Sequence, residues 1–395
     1  MRLGIFFEGI DPETGGAFSI YKHLLRGFSD SKFLTNYEIY IFGPKSLSIY
    51  LPNSIKLIEF PGKSKSFKCF YFNISQIFKT HRLTWLRRQH FALNHLLQEN
   101  RIDLFLSPFP LRYKVYKPYI NTVWDLGHLD YPFFPEFSSI DNDEFEFREK
   151  EMGLIIKRAA RNIVSNDYMK ERLVSLYGFD PDRVSVVGLP ITTFSPNSTK
   201  VEKIHNFMIY PAQFWPHKNH VTLLKAIKQL NLRYGIKVIL KLIGSDRGSK
   251  ASIVELISKL DLATQVEVLD FVEQSVLDKL YEVASILVFP SLLGPDNLPP
   301  VEGIQNGCQV LVSDVKGAKE IYGSSVRYFD PLNPDSLASE LFNVINESKS
   351  GIFLKNSSEV LNQTFVSAKD YLDKLHGIVT SMDSEVTLAR FSRDF

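Results

Sequence analysis

Short apolar runs of strand length alternate with helix-length amphipathic segments along nearly the whole chain, and that alternation constrains the fold more than any other feature. It is the pattern of parallel β/α/β units, whose strands are covered on both faces and so read as near-continuous apolar stretches. In the first half the strand candidates are Leu3 to Phe7, Tyr37 to Phe42, Leu104 to Ser107, Ile120 to Trp124, Asn162 to Ser165 and Val184 to Val187. Helical spacing of apolar side chains marks Ala17 to Phe28 and Trp85 to Leu97. The second half repeats the scheme with Phe207 to Tyr210, Val238 to Ile243, Val266 to Leu269, Ile286 to Phe289, Gln309 to Val312 and Val326 to Phe329.

Two runs of alternation in 395 residues exceed what one core comfortably supports, so two α/β domains are expected. The polar stretch Ser195 to Lys200 has no apolar period and reads as the linker. The expected organisation is a first domain over 1–197, a second over 198–364, and a helical segment over 365–395 that packs back on the first.

Charge excludes several classes. Lys and Arg number 46 against 44 Asp and Glu, too balanced for a protein that wraps nucleic acid. The two cysteines, Cys69 and Cys308, have no Cys or His at metal-ligand spacing, so neither a disulfide framework nor a metal site is expected and a reducing compartment is. Met1 to Glu8 meets an acid too soon for a signal-peptide core, and no window reaches the roughly 20 apolar residues of a membrane span. A cytoplasmic protein is expected, peripheral to the inner face of the membrane if it touches one. Ser31 to Ile120 holds 14 Lys and Arg against 4 Asp and Glu, which is either a solvated face or a patch for anionic lipid or a phosphate-bearing acceptor. Asp141 to Glu151 is acidic and reads as an exposed helix start.

Three stretches carry chemistry. The loop Gly9 to Gly16 runs from the first strand into a helix, and Gly15 and Gly16 let backbone approach a phosphate at that helix's amino terminus. It contains neither GxGxxG nor GxxxxGK[ST], so a dinucleotide fingerprint and a P-loop are disfavoured. Ile209 to His220 leads from a strand into the helix Val221 to Leu230 and presents Lys218 at the strand's carboxyl end, where anions bind in open α/β sheets. Val288 to Asp314 is the most specific stretch. There a Gly/Pro/Asn loop leads to prolines that open a short helix, Glu302 lies on its early turns, and Gly307 closes it. An acid in that place can accept hydrogen bonds from vicinal hydroxyls, and the backbone of Asn297 and Leu298 can meet phosphate or sugar oxygens.

This order of motifs, a Gly-Gly loop after strand one, Pro-x-x-x-x-x-x-Lys-Asn, and Asn-Leu-Pro-Pro-x-Glu-x-x-x-x-Gly-x-x-Val-x-x-Ser-Asp, resembles the retaining, nucleotide-sugar-dependent glycosyltransferases of family four. The resemblance runs from about Met1 to Asn346. It implies the α/β GT-B fold, two Rossmann-like domains facing across a cleft, with the sugar nucleotide on the second and most of the acceptor on the first. Carried over by position, it implies that Glu302 binds the donor ribose, Lys218 and Gly16 the diphosphate, and Asn297 and Leu298 the region beside the transferred sugar.

The sequence departs from the family in three places. The family's paired glutamate, eight positions before Glu302, is Gly294 here, with Asp296 as the nearest substitute. Gln213 stands where many members have an arginine. The usual His-Asp pair reads Trp124-Asp125, with His128 nearby but out of register. The expected activity is transfer of a hexose or deoxyhexose from a nucleoside-diphosphate sugar to a growing glycan or a polyprenyl-linked acceptor in surface polysaccharide or lipopolysaccharide (O-antigen) synthesis. Lys218 would stabilise the leaving diphosphate, Asp125 and His128 would hold the acceptor, His217 would pack the loop, and neither cofactor nor metal would be needed. Two other readings stand beside it: a non-catalytic sugar-nucleotide-binding or scaffold protein, and a sugar-nucleotide epimerase of the same fold.

Overall fold

The structure is a computed structural model that describes residues 1–9, 16–29, 33–52, 55–60, 81–138, 144–191, 201–294, 296–349 and 364–391. It divides into two compact units. The first comprises residues 1–126, 144–192 and 365–395, the second 127–143 and 193–364. Residues 127–143 thus group with the second unit, a difference from the expectation that all of 1–197 forms one domain. The linker stretch Ser195 to Lys200 lies outside the described residues.

The first unit is built on a seven-stranded sheet in the order β3-β2-β1-β4-β5-β6-β7. Its strands are β1 (Arg2–Phe6), β2 (Glu38–Gly43), β3 (Lys56–Glu59), β4 (Leu104–Leu106), β5 (Tyr119–Thr122), β6 (Arg161–Val164) and β7 (Val184–Val186). Neighbouring strands run parallel, with Leu3 opposite both Ile39 and Leu104. The interior strands are buried almost throughout, as their apolar runs require. On one face Phe6, Phe60, Phe105 and Tyr113 meet largely edge to face at centroid distances of 5.6–5.9 Å, the geometry that ring quadrupoles favour.

Residues 365–391 complete this unit. The sequence reading begins a helix at Phe365, whereas the chain first forms a strand, β15 (Phe365–Ser367), parallel to β8 (Leu189–Ile191). Buried Phe365 and Val366 pair there, and Ser367 then caps the helix Ala368–Ser381 by accepting from Asp370 N–H. That helix packs on the helix Gly16–Ser29 at Gly27, where a Cβ would lie 2.9 Å from Leu372.

The second unit carries a six-stranded sheet in the order β11-β10-β9-β12-β13-β14. Its strands are β9 (Ile204–Pro211), β10 (Ile239–Ile243), β11 (Val266–Leu269), β12 (Ala284–Phe289), β13 (Gln309–Ser313) and β14 (Arg327–Phe329), all in parallel register. By position this is the doubly wound order 3-2-1-4-5-6, and the first six strands of the other sheet repeat it. The strand order reverses between β9 and β12, so their carboxyl ends flank the crevice where such sheets bind ligands.

Candidate donor site in the second unit

The loop leaving β9 is shaped by its own residues. Phe214 is fully buried, its N–H donates to the Ser245 carbonyl at 3.0 Å, and it bridges to Asp246 on the loop after β10. Pro216 opens a single 3-10 turn, Pro216–Lys218, that ends on Asn219 at φ 56°. Asparagine tolerates this left-handed geometry better than most residues, and the Asn219 amide is held by the Pro331 carbonyl at 2.8 Å. The helix His220–Tyr234 follows at once.

This turn sends Lys218 towards the end of β12. Its Nζ donates to Asn297 Oδ1 at 2.9 Å, reaches Ser291 Oγ at 3.5 Å, and stands 5.1 Å from the Phe289 ring centroid. The Lys218 carbonyl accepts from buried Tyr210 at 2.6 Å, and the His217 carbonyl accepts from Leu292 N–H at 2.9 Å. Backbone and side chain alike are therefore tied across the switch point. The His220 ring is clamped between Tyr210 and Phe214, with centroids 4.7 and 4.6 Å away. Burial, with the Lys218 charge, holds its pKa down at about 3, so it is neutral at working pH.

Gln213 is fixed as part of the same loop: its amide donates to Ser245 Oγ at 3.2 Å, and Trp215 Nε1 donates to its oxygen at 3.0 Å. His217 packs its ring on Trp215, as expected of a loop residue, and in addition places Nδ1 2.5 Å from Glu136 Oε1. Glu136 sits on the short helix Pro135–Ser138.

Across the crevice the helix Leu298–Gln305 begins at Asn297. The Asn297 side chain accepts from Lys218 and donates to the Gly294 carbonyl, while its own carbonyl accepts from Tyr322 at 2.9 Å. Proline at 299 and 300 removes two of the four amide donors a helix start normally offers, leaving those of Asn297 and Leu298. Gly294, in place of the family's first glutamate, has φ 69°, a conformation that penalises any side chain with a Cβ. Asp296 stands in the turn before Asn297, close enough for its charge to bear on Tyr322.

Glu302 Oε2 accepts from Tyr281 at 2.5 Å. Desolvation raises its carboxyl above the usual range, and the Tyr281 hydrogen bond offsets only part of that. Its other oxygen has no partner among the described residues. Gly303 behind it is required by close packing, since a Cβ would come 3.0 Å from Leu287 and 3.1 Å from Val310.

The remaining candidates lie elsewhere. Asp125, in the first unit, is bound by Arg148 at 2.7 Å rather than presented alone, and Arg148 also grips Glu144. His128, expected at the acceptor, is 2% exposed and packs against Phe137, an environment of interior contacts. Gly16 begins the first helix, and Gly15 is outside the described residues. The acidic stretch read as an exposed helix start instead neutralises part of the basic one: Glu144 pairs with Arg112 and Glu151 with Lys114. Among the described residues no group of His, Cys, Asp and Glu could hold a metal ion, and no helix is long and apolar enough to cross a membrane. Cys308 is buried and unpaired to another cysteine, and Cys69 lies outside the described residues. Glu136, Tyr281 and Tyr322 escaped the sequence reading. Each acts on a residue at least 21 positions away, and none sits in a motif that would have singled it out.

Two doubly wound parallel units, with a cation and a helix start meeting at a switch point, define the GT-B class, and solved structures agree. Sucrose-phosphate synthase from Thermosynechococcus elongatus superposes with a TM-score of 0.70 at 16% identity, covering 97% of this chain and 99% of that one. Anabaena HepE, solved in complex with UDP-glucose, gives 0.66 at 14% identity, covering 96% and 100%. Residues 192–357, within the second unit apart from the first residue, match the family of glycosyl transferases group 1. The O-antigen chain mannosyltransferase RfbU of Salmonella typhimurium is 27% identical over 214 residues, 54% of this chain and 58% of that protein. The chain spans about half the length of the curated relatives it matches.

Proposed function

We propose that the protein is a glycosyltransferase that moves a hexose or deoxyhexose from a nucleoside-diphosphate sugar to a glycan or lipid-linked acceptor in surface polysaccharide synthesis, with retention at the anomeric carbon. The observation that carries this reading is the 2.9 Å hydrogen bond between Lys218 and Asn297, which unites two motifs 79 residues apart at the sheet's switch point. The resemblance to RfbU supports the polysaccharide setting, and the fold shared with a UDP-glucose complex supports the class of donor.

In this reading Lys218 and the Leu298 amide stabilise charge that builds on the departing diphosphate, which is electrostatic preorganisation. A diphosphate oxygen takes the acceptor proton as the hydroxyl attacks the face being vacated. Glu302, through the oxygen that Tyr281 does not occupy, binds the ribose hydroxyls. No nucleophilic carboxylate is required, in keeping with Gly294 where a second acid would stand.

Thermal unfolding with a panel of nucleoside diphosphates and their sugars tests the donor site, because a ligand of the native state raises the midpoint by mass action. A selective shift with one nucleotide, lost in Glu302→Ala, followed by transfer of labelled sugar to a membrane-lipid extract, is the expected result. A shift without transfer would favour the non-catalytic sugar-nucleotide-binding reading, and conversion of the sugar without an acceptor the epimerase reading.

A further inference from the structure

Three arginines lie among the described residues of the second unit, and two have carboxylate partners: Arg233 with Asp335 at 2.8 Å, and Arg327 with Glu340 and Glu347. Arg247 has none. Its Nε is shielded from solvent without any hydrogen-bond acceptor, and its guanidinium stands 5.8 Å from the Trp215 ring centroid. The nearby carboxylates are engaged elsewhere. Asp246 accepts from the N–H groups of Gly248 and Lys250, and Asp270 pairs with the Lys250 ammonium.

The placement of Arg247 is rigid. Its loop follows β10 and is stitched to the Lys218 loop after neighbouring β9 by Ala212 N–H on Ile243, Phe214 N–H on Ser245, and the Gln213 amide on Ser245 Oγ. At Gly244 a Cβ would sit 2.2 Å from the Ala212 carbonyl oxygen, so the two loops touch backbone to backbone. A partly buried guanidinium N–H without an acceptor is costly unless something supplies one. At the carboxyl edge of a parallel sheet, beside a loop that carries Lys218, the fitting acceptor is a phosphate oxygen, which the planar fork of arginine matches.

We infer that Arg247, held over Trp215, is a second cationic contact of the donor site and binds a phosphate oxygen of the nucleotide. This rests on the nucleotide-sugar reading of the second unit.

Calorimetric titration of the full chain with UDP, GDP, uridine and guanosine tests it. Arg247→Met keeps the stem over Trp215 and removes the charge. It should weaken the preferred diphosphate about 10- to 100-fold, the range for a hydrogen bond to a charged group, and leave the matching nucleoside unchanged. Arg247→Lys should recover part of the loss, and Arg233→Met should change nothing. Diphosphate affinity unchanged in Arg247→Met but weakened in Lys218→Met would overturn the role of Arg247 and leave the donor reading standing. Equal losses for nucleoside and diphosphate would mean a loosened loop and would also overturn it. Failure of the unsubstituted chain to bind any nucleotide would overturn both. If Arg247→Met does not fold, Arg247→Gln carries the same comparison.

Discussion

Glu136 and His217 meet at 2.5 Å between Oε1 and Nδ1, although 81 residues separate them in the chain, and their side chains are only 8% and 16% exposed. Burial by itself would push the Glu136 carboxyl up, but the hydrogen bond and charge of His217, with backbone N–H groups, bring it below its ordinary value of 4.5. A depressed carboxyl contributes stability above the unfolded-state pKa and loses it as pH falls through the folded-state pKa. Glu136→Gln should therefore cost about 1–3 kcal/mol at pH 7, the range of a charge-assisted hydrogen bond, and the loss should shrink in acid. Urea denaturation at pH 7 and below pH 4 reads both.

Glu302 has the opposite sign. Its carboxyl is raised, so its contribution is fully present below the unfolded-state pKa and is lost as pH rises through the folded one. Glu302→Gln should then be at least as stable as the unsubstituted protein at pH 8 while binding the donor more weakly. Thermal midpoints with and without the preferred nucleotide separate the two effects; a variant that loses stability at pH 8 would contradict this assignment.

His220 makes the fold acid-sensitive. Its pKa falls from 6.5 unfolded to about 3 folded, so protonating the unfolded chain drains stability between those values, up to roughly 4–5 kcal/mol at 1.36 kcal/mol per pH unit. Its Nε2 is buried without a hydrogen-bond partner, so an apolar ring can replace it without stranding a neighbour. His220→Phe should flatten the stability profile between pH 6.5 and 3, measured by denaturant midpoints across that range.

Gly303 holds the Glu302 helix against β12 and β13. A valine there collides with Leu287 and Val310 and should cost about 1–3 kcal/mol through overpacking. The same shift moves Glu302, so donor affinity should fall with stability in Gly303→Val and less in Gly303→Ala, as paired unfolding and titration measurements would show.

Most of the strands and the principal helices are written in local apolar period, because burial on two faces imposes a run and burial on one face imposes a 3.6-residue spacing. Hence β9 to β14 lie within a few residues of where the pattern puts them. Short β3, whose residues Lys56–Glu59 are largely unburied, and the β8–β15 pair carry too little pattern to be read. The turns that carry Lys218, Asn297 and Glu302 were also legible, since glycines and prolines beside these residues turn the chain there.

Contacts between distant segments were not legible, because they depend on the order in which the strands assemble. Lys218 reaches Asn297 because β9 lies beside β12 in the sheet, and Arg247 reaches Trp215 because β10 lies on the other side of β9. Asp125 and His128 look alike as candidates in sequence, yet one meets Arg148 and the other is packed inside against Phe137. Local periodicity encodes which face of an element is apolar. The partner of a polar side chain is set by which elements fold together around it, and that decides whether a charge is neutralised, shifted or left to bind a ligand.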